Sequence, residues 1–359
     1  MALDRITLAH LRNHPATALD GTAKFNLLVG ENGAGKTNVL EALSLLAPGR
    51  GLRRAQLADV AGAPGPGSFA VSADLDTAAG PVRLGTGTTP ERPGRRLVQV
   101  NGAEVPAMRL GEWLSIGWLT PAMDRLFMEG AGARRRFLDR LVLALDPAHA
   151  RNSARLENAL RERNRLLADP VEPDPAWLDA IEAQVAETGA AVAQARAALV
   201  ADLSQVLAAL PESPFARPEI AYLGGGPLES GPLAAALAEG RRRDRAAQRT
   251  LTGPHRDELA VTMTGKGQSA ADCSTGEQKA MLIALTLAHA SLLGTERPAV
   301  LLLDEVAAHL DPVRREALFE RLADSPAQVW LTGTEPGPFS TILAQAAVWQ
   351  VADGAVSRV

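Results

Sequence analysis

The stretch that most restricts this chain is Phe25-Asn26-Leu27-Leu28-Val29, followed at once by Gly30-Glu31-Asn32-Gly33-Ala34-Gly35-Lys36-Thr37-Asn38 and then the run NVLEALSLLA. A short apolar run suits a strand buried on both faces of a sheet. The run after the loop has helical texture and ends at the Pro48-Gly49 breaker. Between them, Gly30-x4-Gly35-Lys36-Thr37 fits G-x-x-x-x-G-K-[ST] in a strand–loop–helix setting. Glycines let backbone N–H groups turn inward toward phosphate oxygens, and the helix N-terminus adds partial positive charge. Lys36 is expected to reach the β- and γ-phosphates, and the Thr37 hydroxyl to ligate Mg²⁺. Gly30 to Asn38 are therefore the expected nucleotide-binding residues, with ATP and Mg²⁺ as cofactors.

A Mg-nucleotide site also needs a metal-shell carboxylate and, for hydrolysis, a group that positions water. Val300-Leu301-Leu302-Leu303-Asp304-Glu305 supplies both at the C-terminal end of a buried strand, where open α/β sheets bind ligands. Asp304 is expected to hold Mg²⁺ and Glu305 to polarise the attacking water, a positioning role suited to phosphoryl transfer. About thirty residues upstream lies Cys273-Ser274-Thr275-Gly276-Glu277-Gln278-Lys279. By itself Ser274-x-x-Glu277 is a capping box at a helix start. The Ser-x-Gly-x-Gln pattern also resembles the signature sequence of ABC-type ATPases, and Ala307 to Asp311 resembles their D-loop. That resemblance implies that Ser274, Thr275, Gly276, Glu277 and Gln278 complete the γ-phosphate site of an opposite subunit, with Asp311 near the dimer seam.

Two helical tracts, 133–168 and 176–210, flank the proline-rich ADPVEPDP and predict an antiparallel helical hairpin. From about Gly62 to Pro106, Gly/Pro clusters separate short β-like pieces, which predicts an antiparallel β subdomain. α/β texture resumes near Thr250. The expected fold is thus an α/β P-loop ATPase head of ABC type over residues 1–130 and 250–359, with a helical arm inserted at 131–249.

Three outputs fit these parts: DNA work, energising a membrane transporter, or a nucleotide-gated scaffold whose hydrolysis is incidental. The arm exceeds the small helical subdomain of transporter subunits. Thr332 stands where those subunits usually carry a switch histidine, and Thr120-Pro121 where a glutamine is usual. No stretch approaches 18 uninterrupted apolar residues, charge begins within the first five residues, and Cys273 is the single cysteine. A cytoplasmic protein without signal peptide, membrane span or disulfides is expected.

Nearly the whole chain resembles the RecF family of bacterial recombinational-repair ATPases. The matching stretches are LRNH, GENGAGKTNVLEAL, GRGLRRA, TPAMDRLFMEGAGARRRFLD, TLTGPHRDEL, STGEQK and LLLDEVAAHLD. His14 departs from an aromatic in the family pattern. The resemblance implies a weak, DNA-stimulated ATPase that dimerises on ATP, binds DNA and supports recombinase loading at gaps, replication restart and SOS induction, with RecR and RecO as partners. Net charge is −4, so any DNA contact must come from local patches. Candidate clusters are Arg50/Arg53/Arg54, Arg134/Arg135/Arg136, the set from Arg151 to Arg165, and Arg241/Arg242/Arg243/Arg245/Arg249. Each also reads as a solvated helix face. Aromatic residues make up 4%, which favours backbone contact over base stacking.

Overall fold

The computed structural model describes residues 2–63, 65–77, 80–211, 213–294 and 296–359. Packing divides the chain into two units. The first comprises Met1–Asp124, Ser213–Phe215 and Leu282–Val359, and the second Arg125–Glu212 and Ala216–Met281.

The N-terminal stretch supplies β1 (Leu3–Leu11), β2 (His14–Asp20), β3 (Phe25–Val29), α1 (Lys36–Ser44) and the short α2 (Leu57–Val60). It continues with β4 (Ala70–Thr77), β5 (Gly80–Thr89), β6 (Arg92–Val100), β7 (Ala103–Glu104) and β8 (Ser115–Leu119). The middle of the chain holds α3 (Ala131–Leu145), α4 (Ala148–Ala168), α5 (Pro175–Ala209) and β9 (Pro218–Leu223). It goes on through α6 (Ser230–Glu239), α7 (Arg241–Ala246), β10 (Glu258–Met263) and β11 (Gln268–Ser269). Then come α8 (Thr275–Leu292), β12 (Ala299–Leu303), α9 (Pro312–Asp324), β13 (Gln328–Gly333), β14 (Ala346–Ala352) and β15 (Ala355–Arg358).

Two six-stranded sheets build the first unit. One, ordered β2-β1-β4-β5-β6-β7, is antiparallel throughout, so the expected β subdomain exists and is continuous with the N-terminal hairpin. The other runs β15-β14-β3-β13-β12-β8, with every pair parallel except β14·β15. Its inner strands β3, β12 and β13 are buried at every position, as parallel strands covered on both faces must be. Asn26, a polar side chain inside β3, is satisfied locally: its Oδ1 accepts from Ala23 N and its Nδ2 donates to Ala23 O. Leu28, Leu40, Leu43, Leu302 and Trp330 belong to one continuous core with the inward residues of the antiparallel sheet, such as Leu8, Val71 and Leu84.

The second unit differs from expectation in four places. The tract 133–168 is two helices, because Asp146 leaves the helix and Pro147 lacks the N–H that continuity needs. The helical stretch before Thr250 is likewise two short helices, α6 and α7, meeting at Gly240. Strand β9 was not expected. It pairs with β10, giving a three-stranded antiparallel sheet β11-β10-β9, and residues 250–281 therefore pack with the second unit, not with the ATPase head. The helical hairpin itself is α4 against α5, with Leu156 and Leu160 of α4 and Val185 and Val192 of α5 in one core with Leu233 and Leu237 of α6. Gly189 permits the approach of α6 to α5, since a Cβ there would lie 3.1 Å from Leu233 and 3.3 Å from Pro254.

Two buried ionic networks bind the second unit. Arg163, fully buried, donates to Glu182, Asp244, Thr250 Oγ1 and the Leu237 carbonyl. Arg196 forks onto both oxygens of Asp139 at 2.8 Å and also reaches Asp257 and the Pro254 carbonyl. Asp257 further accepts from Tyr222 and from Gly225 N, and His149 Nε2 pairs with Asp139 at 2.8 Å. The blocks ending in Asp139 and Asp257 are thus two ends of one bridge through α5.

Removing one partner of a buried pair leaves an uncompensated charge. Arg163→Met is expected to cost about 3–5 kcal/mol of stability, read as a lowered urea midpoint by circular dichroism. An unchanged midpoint would show that the network adds nothing to stability.

Candidate nucleotide site

The loop after β3 is held from three directions. His14, fully buried, has Nε2 3.0 Å from Gly35 O and Nδ1 3.1 Å from Thr17 Oγ1. Since a carbonyl only accepts, Nε2 carries the proton there. Asn13 Nδ2 donates to Ala34 O at 2.9 Å while its Oδ1 accepts from Asn38 Nδ2 at 2.7 Å. Gly354 N, in the β14–β15 turn, also donates to Ala34 O. Gly35 must be glycine: its φ is +114°, and a Cβ would sit 2.7 Å from Asn13 and His14.

Lys36 is 4% exposed and donates to Gly30 O at 2.6 Å and Glu31 O at 2.8 Å. An ammonium has three donors, so one N–H is left over for a phosphate oxygen. Burial lowers the Lys36 pKa, and the nearby Glu305 and Asp304 oppose that shift. Thr37 Oγ1 lies 3.0 and 3.1 Å from the two Asp304 oxygens, so the two expected metal-shell residues meet directly. Asp304 is 6% exposed and also accepts from Thr332 Oγ1 at 2.8 Å. Burial raises its pKa, against the two hydroxyls that hold it down.

Thr332 does a second job, accepting from Glu305 N at 2.8 Å. This holds Glu305 in the left-handed region, φ 52° and ψ 22°, a conformation that costs a non-glycine residue about 1–3 kcal/mol and clusters at functional positions. Thr332 therefore links the expected metal carboxylate to the expected water-positioning carboxylate from the neighbouring strand. Thr37 and Asp304 offer a hydroxyl and a buried carboxylate as hard oxygen donors, a set that fits Mg²⁺, which takes its remaining ligands from water and substrate phosphates. No cluster of three acidic, histidine or cysteine side chains able to hold a metal alone occurs among the described residues.

The expected signature residues lie in the second unit, at the start of α8. Ser274 N and Oγ both donate to Glu277 Oε2 at 2.9 Å, and Glu277 N lies 3.4 Å from Ser274 Oγ, so the capping box forms. Thr275 and Gly276 are exposed, whereas Gln278 is buried and donates to Cys273 O. Lys266, in the β10–β11 turn, donates to Glu277 Oε1 and, with Ser274, holds the Glu277 carboxyl down at about 2. Asp311 caps α9 by accepting from Arg314 N at 2.9 Å.

The arginine clusters divide by partner. Arg53 donates to Asn38 Oδ1 at 2.6 Å and to Glu41, a carboxylate that Arg12 also grips with two N–H groups. Arg134 is bidentate on Glu258 at 2.7 Å, and Arg135 donates to Asp257 O. Arg163 is wholly internal and cannot meet a solvent-borne ligand. Arg54, Arg136, Arg242 and Arg243 are exposed. His255, mostly buried, pairs through Nε2 with Thr250 O and so braces its own loop. Asn13 and Gly354 hold the phosphate loop without any signal in the loop sequence itself. The adjacency of Arg12-Asn13-His14 to a β-turn was the available hint.

A P-loop whose threonine meets a strand-end aspartate, backed by a second strand-end carboxylate, defines an ATP-binding head. A family model described as the RecF/RecN/SMC N-terminal domain matches residues 2–356, and the chain belongs to that family, on its RecF branch. The "DNA replication and repair protein RecF" of Mesorhizobium japonicum is 48% identical over 368 residues, covering 99% of this chain and 97% of its own. That of Rhizobium rhizogenes is 45% identical over 370 residues, covering 99% and 98%. A solved structure described as the recombination mediator protein RecF with ATP in the RecFOR pathway superposes with a TM-score of 0.87 at 23% identity, covering 100% of this chain and 97% of the other.

Lys36→Ala is expected to abolish ATP binding while leaving the fold intact, as measured by calorimetry and circular dichroism. Parent-like affinity would remove the loop from the binding site.

Proposed function

We propose that this chain acts in DNA replication and repair as an ATP-gated, DNA-binding dimer. The observation that carries the proposal is the convergence of Thr37, Asp304, Thr332 and Glu305 in a chain that aligns end to end with curated RecF relatives. The Gly30–Thr37 loop binds the triphosphate, and Lys36 directs its remaining N–H at the outer phosphates. Thr37 and Asp304 hold Mg²⁺, which when bound offsets phosphate charge. Glu305, fixed through Thr332, orients the attacking water. Because phosphoryl transfer depends on positioning and charge, a site lacking its second half turns over slowly. The second half is the start of α8 in a facing subunit: Ser274, Thr275 and Gly276 donate to the γ-phosphate, Glu277 and Gln278 shape that helix end, and Asp311 lies at the seam. Hydrolysis releases the dimer.

DNA contact falls to phosphate-binding arginines. Arg54, Arg136, Arg242 and Arg243 are exposed for it, while Arg53, Arg134 and Arg135 join only by exchanging their present partners. Expected partners are gapped or duplex DNA, a second copy of the chain, and RecR- and RecO-type mediators. The full-length likeness to repair proteins weighs against the transporter reading. ATPase assays with and without DNA test both: a transporter subunit should ignore DNA.

Glu305→Gln should still bind ATP and accumulate as a long-lived dimer, because the site closes while the water is poorly oriented. Turnover at the parent rate would remove Glu305 from that role. Ser274→Arg separates capping from trans action. Loss of the cap alone costs about 1 kcal/mol of helix stability and spares ATP chemistry. A trans role predicts a folded, ATP-binding monomer that neither dimerises nor hydrolyses. Sedimentation with ATP and Mg²⁺ decides: a normal dimer would leave Ser274 as a helix cap only.

A further inference from the structure

Two of the donors assigned to a facing γ-phosphate, the amide and hydroxyl of Ser274, are already engaged by an anion from the helix they precede. Glu277 Oε2 accepts from both Ser274 N and Ser274 Oγ at 2.9 Å. Its other oxygen, Oε1, faces Lys266 Nζ at 2.5 Å, across from the turn between β10 and β11. Lys266 is half-exposed and has no other ion pair among the described residues. A carboxylate in this place satisfies the backbone N–H of the residue that opens an 18-residue helix, at the kind of helix end that binds phosphate in other proteins.

Two anions cannot share one set of donors. For Ser274 to meet a phosphate, Glu277 must release it, and the released carboxylate would stand beside a highly charged triphosphate. Repulsion between unit charges a few ångströms apart is about 1 kcal/mol even in water, and more as the interface closes. A cation already gripping the far oxygen of that carboxylate removes the conflict. It offers Glu277 a second place to stay and cancels its charge.

We propose that Glu277 is an internal stand-in for phosphate on Ser274, and that Lys266 is the positioning residue that lets Glu277 yield to the γ-phosphate of a facing subunit. The inference rests on the composite-site reading above and adds a residue to it. Lys266 acts through Glu277 and touches no nucleotide. Glu277→Gln keeps a residue type able to complete the capping box while removing the charge, so charge and helix capping can be varied separately.

The test is ATP-driven dimerisation, by sedimentation with ATP and Mg²⁺, in Lys266→Ala, Lys266→Arg, Lys266→Ala/Glu277→Gln and Ser274→Arg, alongside each monomer's own ATP affinity. Lys266→Ala should weaken dimerisation about tenfold, the equivalent of one like-charge contact, with monomer ATP affinity unchanged. Lys266→Arg should dimerise like the parent, and the double variant should recover parent-like dimerisation because no charge is left to compensate. Parent-like dimerisation of Lys266→Ala would overturn the inference. So would a deficit that the double variant fails to repair, which would make Lys266 a direct phosphate contact or a structural residue. Ser274→Arg isolates the underlying reading. If it dimerises normally, the composite site fails as a whole. If it stays monomeric while Lys266→Ala dimerises normally, only the role of Lys266 and Glu277 fails.

Discussion

One buried carboxylate organises the nucleotide end of the first unit. Asp304 is 6% exposed, and an ionised carboxylate at that depth is tolerable only if hydrogen-bonded. Its two hydroxyl donors, Thr37 and Thr332, start α1 and end β13, segments almost three hundred residues apart. Satisfying this single group therefore sets the height of the phosphate loop against the ends of two neighbouring parallel strands. Glu305 inherits its place from the same arrangement, since the hydroxyl that donates to Asp304 accepts from the Glu305 amide and holds its unusual backbone angle. The roles proposed for Asp304 and Glu305 thus both rest on one act of charge burial.

Arginine plays a parallel part in the second unit, where aromatic side chains are scarce. Arg163 and Arg196 occupy positions that in many helical arms would be large apolar residues, and each fans its donors over several acceptors. Buried pairs of this kind do not raise stability above a hydrophobic core of equal volume, but they penalise any packing that separates the partners. The bridge from Asp139 through Arg196 to Asp257 joins helix, helix and strand loop, so a shift at one is opposed at all three.

The legible parts were those governed by local pattern. The glycine loop, the buried strands at Phe25 and Val300, the acidic pair after Leu303 and the long α5 all follow from spacing within a dozen residues. What escaped depends on distant partners. β9 is a half-buried six-residue strand beginning at Pro218, and only pairing with β10 makes it a strand at all. With that pairing, residues 250–281 group with the second unit, where sequence alone had set them beside 282–359. Arg163 was grouped with its exposed neighbours, although Leu156, Ala159, Leu160, Leu166 and Leu167 place it on the apolar stripe of α4. Helical periodicity contained that information, and residue type overrode it. His14, a departure from the family's aromatic, proves to be a buried ligand of the phosphate loop's own backbone, a role visible only once β2 lies beside Gly35.

Strand order carries a consequence for how such a protein is made. β3, which leads into the phosphate loop, lies between β13 and β14, and Gly354 closes the loop from the other side. A ribosome delivers β3 well before its neighbours β13 and β14. Parallel pairing over such sequence separation is intrinsically slow to form. Until β13 and β14 emerge, the apolar strand at Phe25 has no native neighbour in its sheet. The strand that leads into the phosphate loop is flanked on both sides only once β13 and β14 have been made. A chain that stops short of β13 therefore lacks, by topology alone, both native neighbours of the strand that leads into the phosphate loop.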